Sequence, residues 1–392
     1  MNDQLSDDID SRRRSFLRGS MACVAGCALS GVGPVVQASG KAQDRLIVNA
    51  LGDFDDPNLD LARPFGGLPD DSHPDFDERV IRDARASGLN AVNITLGYVA
   101  GPQEQYEYTI RTIAAWDRIL RNHPNDLLRV ERADDIERAR AQGKIGIIYG
   151  FQNAVQVGDR ADRISTFADL GVRVVQLTYN SGNTLGDGCM AKDNRGLTEF
   201  GHAVVAQLNQ DHVMVDLSHS GERTCLDAIA ASRQPVSINH TGCRALADLP
   251  RNKTDAELRA VAAAGGFIGI YFISFLRRTG NATADDVVAH LMHAWNVCGE
   301  DHVGIGTDGS VTPIDDLGAY RERLAQEYAA RVKAGIAAAG EQPDTYPFVE
   351  DLRGVDQFHK LERMLVAKGL TSAQLDKLFG LNFVSYARTI WG

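Results

Sequence analysis

No C-x-x-C pair occurs anywhere in these 392 residues, although six cysteines are present: Cys23, Cys27, Cys189, Cys225, Cys243 and Cys298. That spacing excludes a cysteine-rich zinc knuckle. Positive charge is also scarce. Lysine and arginine total 41 against 52 aspartates and glutamates, for a formal net charge of -11 and a pI near 5.4. No long basic run lies outside the N-terminus, which argues against a nucleic-acid partner. Long apolar runs are missing too. The apolar stretch at 21–36 is interrupted by Gly26, Gly31, Gly33 and Pro34, so it makes a poor membrane span. What remains is ordinary for a soluble globular chain, with 44% hydrophobic and 24% charged residues. The length is enough to bury a large core, and it fits one domain if the fold is a barrel.

The N-terminus reads as a leader rather than as part of the fold. Ser11-Arg12-Arg13-Arg14-Ser15-Phe16-Leu17 is a twin-arginine pattern, and Val36-Gln37-Ala38 puts small residues where a signal peptidase reads. Cleavage is expected after Ala38. That gives a signal peptide at 1–38, a single domain at 39–392, export by the twin-arginine machinery and a periplasmic location. Removal takes four arginines and four aspartates, so the charge stays at -11. Val24-Ala25-Gly26-Cys27 resembles a lipobox, and lipidation at Cys27 is the alternative, leaving the protein tethered. Such a compartment permits disulfides, but the sequence does not say which form.

Eight short apolar segments follow, at 46–48, 91–96, 145–149, 172–178, 213–218, 235–239, 267–272 and 303–307. Nearly all are separated by helical patterns, the clearest at 106–121 with Ile110, Ile113, Ile119 and Leu120 on one side. A helix at 320–339, one at 355–368 and a short one at 372–379, with Ser372 as cap, complete the chain. Alternating strands and helices predict a (β/α)8 barrel, with an open doubly wound sheet as runner-up.

The most informative stretch is 213–246. It reads strand, helix, strand, and each strand ends at a histidine, His219 and His240. Side chains at the carboxyl ends of parallel strands face the open mouth of the sheet, where sites form. Two neutral imidazoles a strand apart are suited to share one zinc ion. They are equally suited to cap their strands through hydrogen bonds. Asp53, Gln152, Tyr179 and Asp308 stand at other strand ends and are expected around the same mouth. Asp308 is placed either to ligate a metal or to take a proton from water. Arg244 reads as a bidentate clamp for a substrate carboxylate or as a solvent-facing loop residue. Asp53 reads as a ligand or a turn residue, and Asp216, within a strand, as a residue that orients a neighbour. Gly304-Ile305-Gly306 is not a phosphate loop, lacking the third glycine and the helix start.

The sequence resembles the membrane dipeptidases, the renal dipeptidase-like group of amidohydrolase-type barrels, from about residue 45 to the end. The resemblance rests on D-L-S-H-S-G at 216–221, N-H-T-G-C-R-A-L at 239–246, V-G-I-G-T-D-G at 303–309 and Gly380-Leu381-Asn382-Phe383. It implies a barrel that binds two zinc ions and cleaves dipeptides. It makes His219 and His240 the ligands of the second metal, and Asp53 and Asp308 residues of the first. Arg244 becomes the grip on the substrate carboxylate, with Tyr179 and Asn180 beside the substrate. Three positions depart from the family. Leu51 stands for a ligand histidine, Gln152 for the glutamate bridging the metals, and Tyr179 for a histidine contacting the tetrahedral intermediate. The departures resemble an exported bacterial subgroup with an altered first metal site.

Two functions follow. The first is a zinc-dependent dipeptidase acting on dipeptides or a related small amide with a free carboxylate. Activated water attacks the carbonyl, and Asp308, Tyr179 and Gln152 serve as catalytic residues. The second is a silent or repurposed barrel that binds small peptides or serves a periplasmic maturation pathway. One zinc ion per chain, or none, is expected in place of two, and a homodimer is left open. The leader makes its own prediction. Replacing Arg13 and Arg14 by lysine blocks export, and the mature chain begins at Ser39. N-terminal sequencing that finds a modified Cys27 supports the tethered alternative instead.

Overall fold

The computed structural model describes residues 45–392 apart from 62–75, 102 and 336. The expected leader, its cleavage site and Cys27 lie outside the described residues. Among the described residues nine strands form one parallel sheet: β1 (Ile47–Asn49), β2 (Leu89–Thr95), β3 (Leu127–Val130), β4 (Ile145–Phe151), β5 (Val172–Gln176), β6 (Met214–Asp216), β7 (Ser237–Thr241), β8 (Phe267–Ile270) and β9 (Val303–Ile305). Eight of them run in the order β1-β2-β4-β5-β6-β7-β8-β9. The path closes on itself, because Ala50 N donates to Ile305 O and Asp308 N to Leu51 O, each at 3.0 Å. The Asn49 amide clips the same seam, accepting from Thr307 N and donating to Thr307 Oγ1, both at 2.8 Å. This is the (β/α)8 barrel that the strand–helix alternation predicts. Most strand residues are buried on both faces, as a parallel sheet wrapped in helices requires.

The ninth strand is a correction. β3 pairs with Ile145 to Ile148 of β4 on the edge that β5 takes over from Tyr149. Its sequence, L-L-R-V, hides it, because Arg129 breaks the apolar run and reaches out to Asp117 at 3.1 Å. The helix expected at 320–339 runs instead over Leu317–Lys333, with Gly335 in the left-handed region just beyond it (φ 70°). The cap of the helix Ser372–Asp376 is Thr371, whose hydroxyl accepts from Gln374 N, rather than Ser372.

A last helix, Asn382–Trp391, also escaped the sequence reading. Phe383, Val384 and Ile390 on this helix pack with the inward residues Val48, Ala91, Ile148, Val174 and Met214, so it plugs the base of the barrel. The Asn382 amide donates to Glu300 O and Val303 O, both at 2.8 Å, and pins the start of β9. The C-terminal Gly-Leu-Asn-Phe motif is therefore part of the fold's floor.

At the other end, β7 is irregular. Its register against β8 shifts between Ile238 and Thr241, and the Asn239 carbonyl leans across β8 toward β9. A Cβ at Gly269 or at Gly306 would overlap that carbonyl oxygen, so both positions need glycine. Gly306→Ala should cost about 1–3 kcal/mol through this overlap. The measurement is urea denaturation, and a variant as stable as the parent would show that the bulge yields freely.

Candidate active site

The site grows from β6 and β7. The buried Asp216 carboxylate accepts from Ser218 N at 3.0 Å, from Asn239 N at 3.1 Å and from the Ser218 hydroxyl. Ser218 Oγ in turn accepts from His240 N at 3.1 Å. One carboxylate thus ties the ends of both strands together, the orienting role its place within a strand suggests.

A second set of bonds comes from residues the sequence reading passed over. Arg251, Asn252 and Lys253 are consecutive and buried, at 1%, 0% and 2% exposure. Arg251 donates to Ser218 O at 2.7 Å and to His240 O at 3.2 Å, with its guanidinium 5.4 Å from the Tyr271 ring centroid. Lys253 donates to Ser220 O and pairs with Glu257 at 3.1 Å. Asn252 spans Ala247 O and Phe275 O. The backbone on both sides of His219, and that of His240, is therefore held by buried cations. Nothing in the Pro-Arg-Asn-Lys pattern announces this, since such a run normally reads as an exposed loop.

Held this way, His219 Nε2 and His240 Nε2 stand 3.0 Å apart. His219 Nδ1 lies 2.8 Å from Asn180 Oδ1, an acceptor, so Nδ1 carries the proton and Nε2 presents its lone pair. The Tyr179 ring stacks on His219 with centroids 4.4 Å apart. Burial pushes both imidazoles well below the usual histidine range, and the Arg251 charge adds to that, so both are neutral.

Above the histidines lies a cavity of about 290 Å³. Gln152, Tyr179, Asn180, His219, Arg251 and Asp308 line it from the barrel. Leu324, Glu327, Tyr328 and Arg331 of the helix Leu317–Lys333, with Glu341 and Tyr346, line it from outside. Gln152 Nε2 donates to Asp308 Oδ1 at 3.3 Å. Asp308 holds a left-handed backbone, φ 56°, which is uncommon outside glycine and tends to cluster at functional sites. Burial raises its carboxyl above the ordinary range, against the opposing charges of Arg251 and Arg331. Arg331 bonds the Tyr179 hydroxyl and forms a two-pronged pair with Glu341, at 3.0 and 2.9 Å.

The structure thus gathers Gln152, Tyr179, Asn180, His219 and Asp308 around one cavity, with His240 directly against His219. Asp53 is exposed and lines a neighbouring chamber that shares Asp308. Arg244 does not line the cavity. It donates to Pro250 O at 3.1 Å and stands 3.7 Å from Glu222, in a surface groove beside Cys189. Arg251, Lys253 and Arg331 are the site's members that sequence reasoning missed. The four described cysteines are free thiols.

The family model for membrane dipeptidase (peptidase family M19) matches residues 83–332. The chain belongs to the membrane dipeptidase family. It is 31% identical over 229 residues to an uncharacterized dipeptidase of Schizosaccharomyces pombe, an alignment covering 55% of each chain. It is 26% identical over 286 residues to the dipeptidase tcpJ of Claviceps purpurea, covering 72% of this chain and 60% of that one. The chain thus spans little more than half the length of these curated relatives. A crystal structure of an amidohydrolase from Pseudomonas aeruginosa superposes with a TM-score of 0.74 at 29% identity, covering 90% of this chain and 98% of that one.

This membership raises the question of whether the residues present suit a metal. The imidazole pair does. Two tetrahedral zinc ligands at about 2.0–2.1 Å stand about 3.3 Å apart, close to the 3.0 Å between the two Nε2 atoms. A second ion is poorly served, because Leu51 offers no donor and Gln152 no charge. Among the described residues no three His, Cys, Asp or Glu side chains converge on one point.

The buried pair behind the histidines sets a stability prediction. Burial pushes the Glu257 carboxyl up, but the Lys253 ammonium and the Thr254 donors outweigh it and hold it below the ordinary range. Glu257→Gln leaves the Lys253 charge unpaired and should cost about 3–5 kcal/mol at pH 7. A depressed folded value means this stabilisation is complete above the unfolded value near 4.3 and fades as pH falls through the folded one. Urea titrations should therefore show a gap between parent and variant that narrows below about pH 4. A gap independent of pH would contradict the assignment.

Proposed function

We propose that the chain is an exported metal-dependent peptidase that hydrolyses dipeptides or closely related small amides with a free carboxylate. The observation that carries this reading is the pair of neutral imidazoles, 3.0 Å apart, of which His219 lines a cavity together with Asp308 and Tyr179. Family membership supports the peptidase chemistry, and the twin-arginine run supports export.

His219 and His240 would hold the ion, which when bound supplies Lewis acidity and makes water a stronger acid. Asn180 fixes the His219 ring so that Nε2 faces His240 Nε2. Asp308, with its carboxyl raised by burial and anchored by Gln152, is suited to take a proton from the attacking water and return it to the leaving amine. Tyr179 is the donor for the carbonyl oxygen. Arginine has no acceptor, so the phenol oxygen accepts from Arg331 and keeps its own proton for another acceptor. Burial keeps the phenol protonated, and a neutral O–H donor aimed at a developing oxyanion stabilises the transition state more than the ground state. Arg331 acts through Tyr179 and is a positioning residue.

The test is kcat/KM on a free dipeptide for the zinc-supplied parent, Tyr179→Phe, Arg331→Gln and the double variant. Tyr179→Phe should lower kcat about 10²–10³-fold. Arg331→Gln should cost less, and the double variant should be no worse than Tyr179→Phe alone, because both act through one hydroxyl. His240→Ala should abolish turnover. A parent that binds dipeptides without cleaving them would overturn the peptidase reading, and additive losses in the double variant would overturn the role of Arg331.

A further inference from the structure

Beside the catalytic cavity, and sharing Asp308 with it, lies a second chamber of about 180 Å³. Asp53 and Asp55 line it from the loop after β1, and Thr312, Arg353 and Gln357 from the segment after β9. Three of its polar atoms are not satisfied among the described residues. Thr312 Oγ1, Arg353 Nε and Gln357 Nε2 are buried atoms with no hydrogen-bond partner among the described residues. Thr312 and Gln357 are 4% and 3% exposed. The Arg353 guanidinium lies 5.4 Å from the Phe348 ring centroid, and no ion pair holds it among the described residues. Each unmet buried group costs about 1–3 kcal/mol. Three of them on residues that line one small chamber are more than native structures usually leave to chance.

Their chemistry is of one kind. A guanidinium, an amide N–H and a hydroxyl are all donors, and a planar fork of arginine N–H groups matches a carboxylate's two oxygens. Gln357 opens the 11-residue helix Gln357–Ala367, whose N-terminal amides favour negative charge at the same point. The carboxylates of Asp53 and Asp55 give the chamber acidic character as well, which suits an ammonium. At about 30 Å³ per water, 180 Å³ has room for roughly six heavy atoms, the size of a small amino acid.

We propose that this chamber binds a small α-amino acid unit, its carboxylate held by Arg353, Gln357 and Thr312. Through the shared Asp308 the unit is either the C-terminal residue of a bound dipeptide, which rests on the function proposed above, or a separate amino acid. The first case assigns carboxylate recognition to Arg353, whereas Arg244 points into another groove.

Calorimetry on the full mature chain tests binding without any need for turnover, with L-alanine and L-alaninamide as probes. Saturable binding of alanine is expected, at least about 10-fold tighter than the amide, since charge-assisted contacts are worth about 1.5–3 kcal/mol. Arg353→Gln should weaken alanine binding at least 10-fold. Thr312→Val, close in shape, should weaken it less, and keeps the test alive if the arginine variant unfolds. No saturable binding, equal affinity for the amide, or affinity unchanged in both variants would overturn the chamber.

Kinetics then identify the occupant. If it is the substrate's own end, Arg353→Gln raises KM for a free dipeptide and leaves the C-terminally amidated one unchanged, while Arg244→Ala does not separate the two. If it is a separate molecule, alanine alters turnover without competing with the dipeptide. Either result supports the chamber. A split between the two dipeptides seen in Arg244→Ala and not in Arg353→Gln contradicts the substrate case. Alanine binding by a chain that cleaves no dipeptide keeps the chamber and removes the peptidase reading.

Discussion

The two histidines at the mouth of this barrel stand on backbone whose carbonyls are gripped by two buried cations. Arg251 holds Ser218 O and His240 O, and Lys253 holds Ser220 O while paired with Glu257. Burying an arginine costs several kcal/mol unless its donors are met. Here Arg251 donates to the carbonyl of Ser218, just before His219, and to that of His240. The energy that keeps Arg251 in place is thus the same energy that fixes where the two imidazoles stand. β7 cannot provide that alone, because its register shifts just where His240 must be aimed.

The same cation also helps burial keep both imidazoles neutral. Arg251 adds to burial in disfavouring protonation of both His219 and His240. A ligand imidazole must be neutral, so Arg251 favours the required protonation state as well as the position. Asp308 stands on the other side of the balance. Its burial favours the protonated carboxyl, while Arg251 and Arg331 pull it back toward the anion. A carboxyl poised between these influences suits proton transfer better than a fully exposed one. Tyr179 joins the two halves of the cavity. Its ring lies on His219, and its hydroxyl is held by Arg331 from the helix that forms the outer wall.

Much of this was legible in the sequence. Polar residues just past apolar runs placed Gln152, Tyr179, His219, His240 and Asp308 at strand ends, because a parallel strand leaves its last side chain at the open face. The closed barrel followed from the alternation of strands and helices. What escaped has physical reasons. β3 carries an arginine in the middle of four residues. The Arg251–Lys253 run looks hydrophilic, and only long-range contacts reveal that it is buried. The Tyr179–Arg331 contact joins distant parts of the chain, and no periodicity encodes it. The position of Arg244 was open between clamp and loop residue, and its bonds to Pro250 and its approach to Glu222 depend on the path of the loop after β7. The C-terminal motif was visible as a pattern, but not as the plug that closes the barrel's base.

The central claim is that the buried arginine builds a two-imidazole site for a single ion. Zinc binding by the purified chain tests it most directly, read by elemental analysis after reconstitution and desalting, with affinity from chelator competition. The parent should retain one equivalent. His240→Ala should retain none. Arg251→Met, which fills the space without the charge, should bind at least about 10-fold more weakly while still melting cooperatively, as expected for loss of a group that orients metal ligands. Two equivalents in the parent, or undiminished affinity in a folded Arg251→Met, would contradict the account.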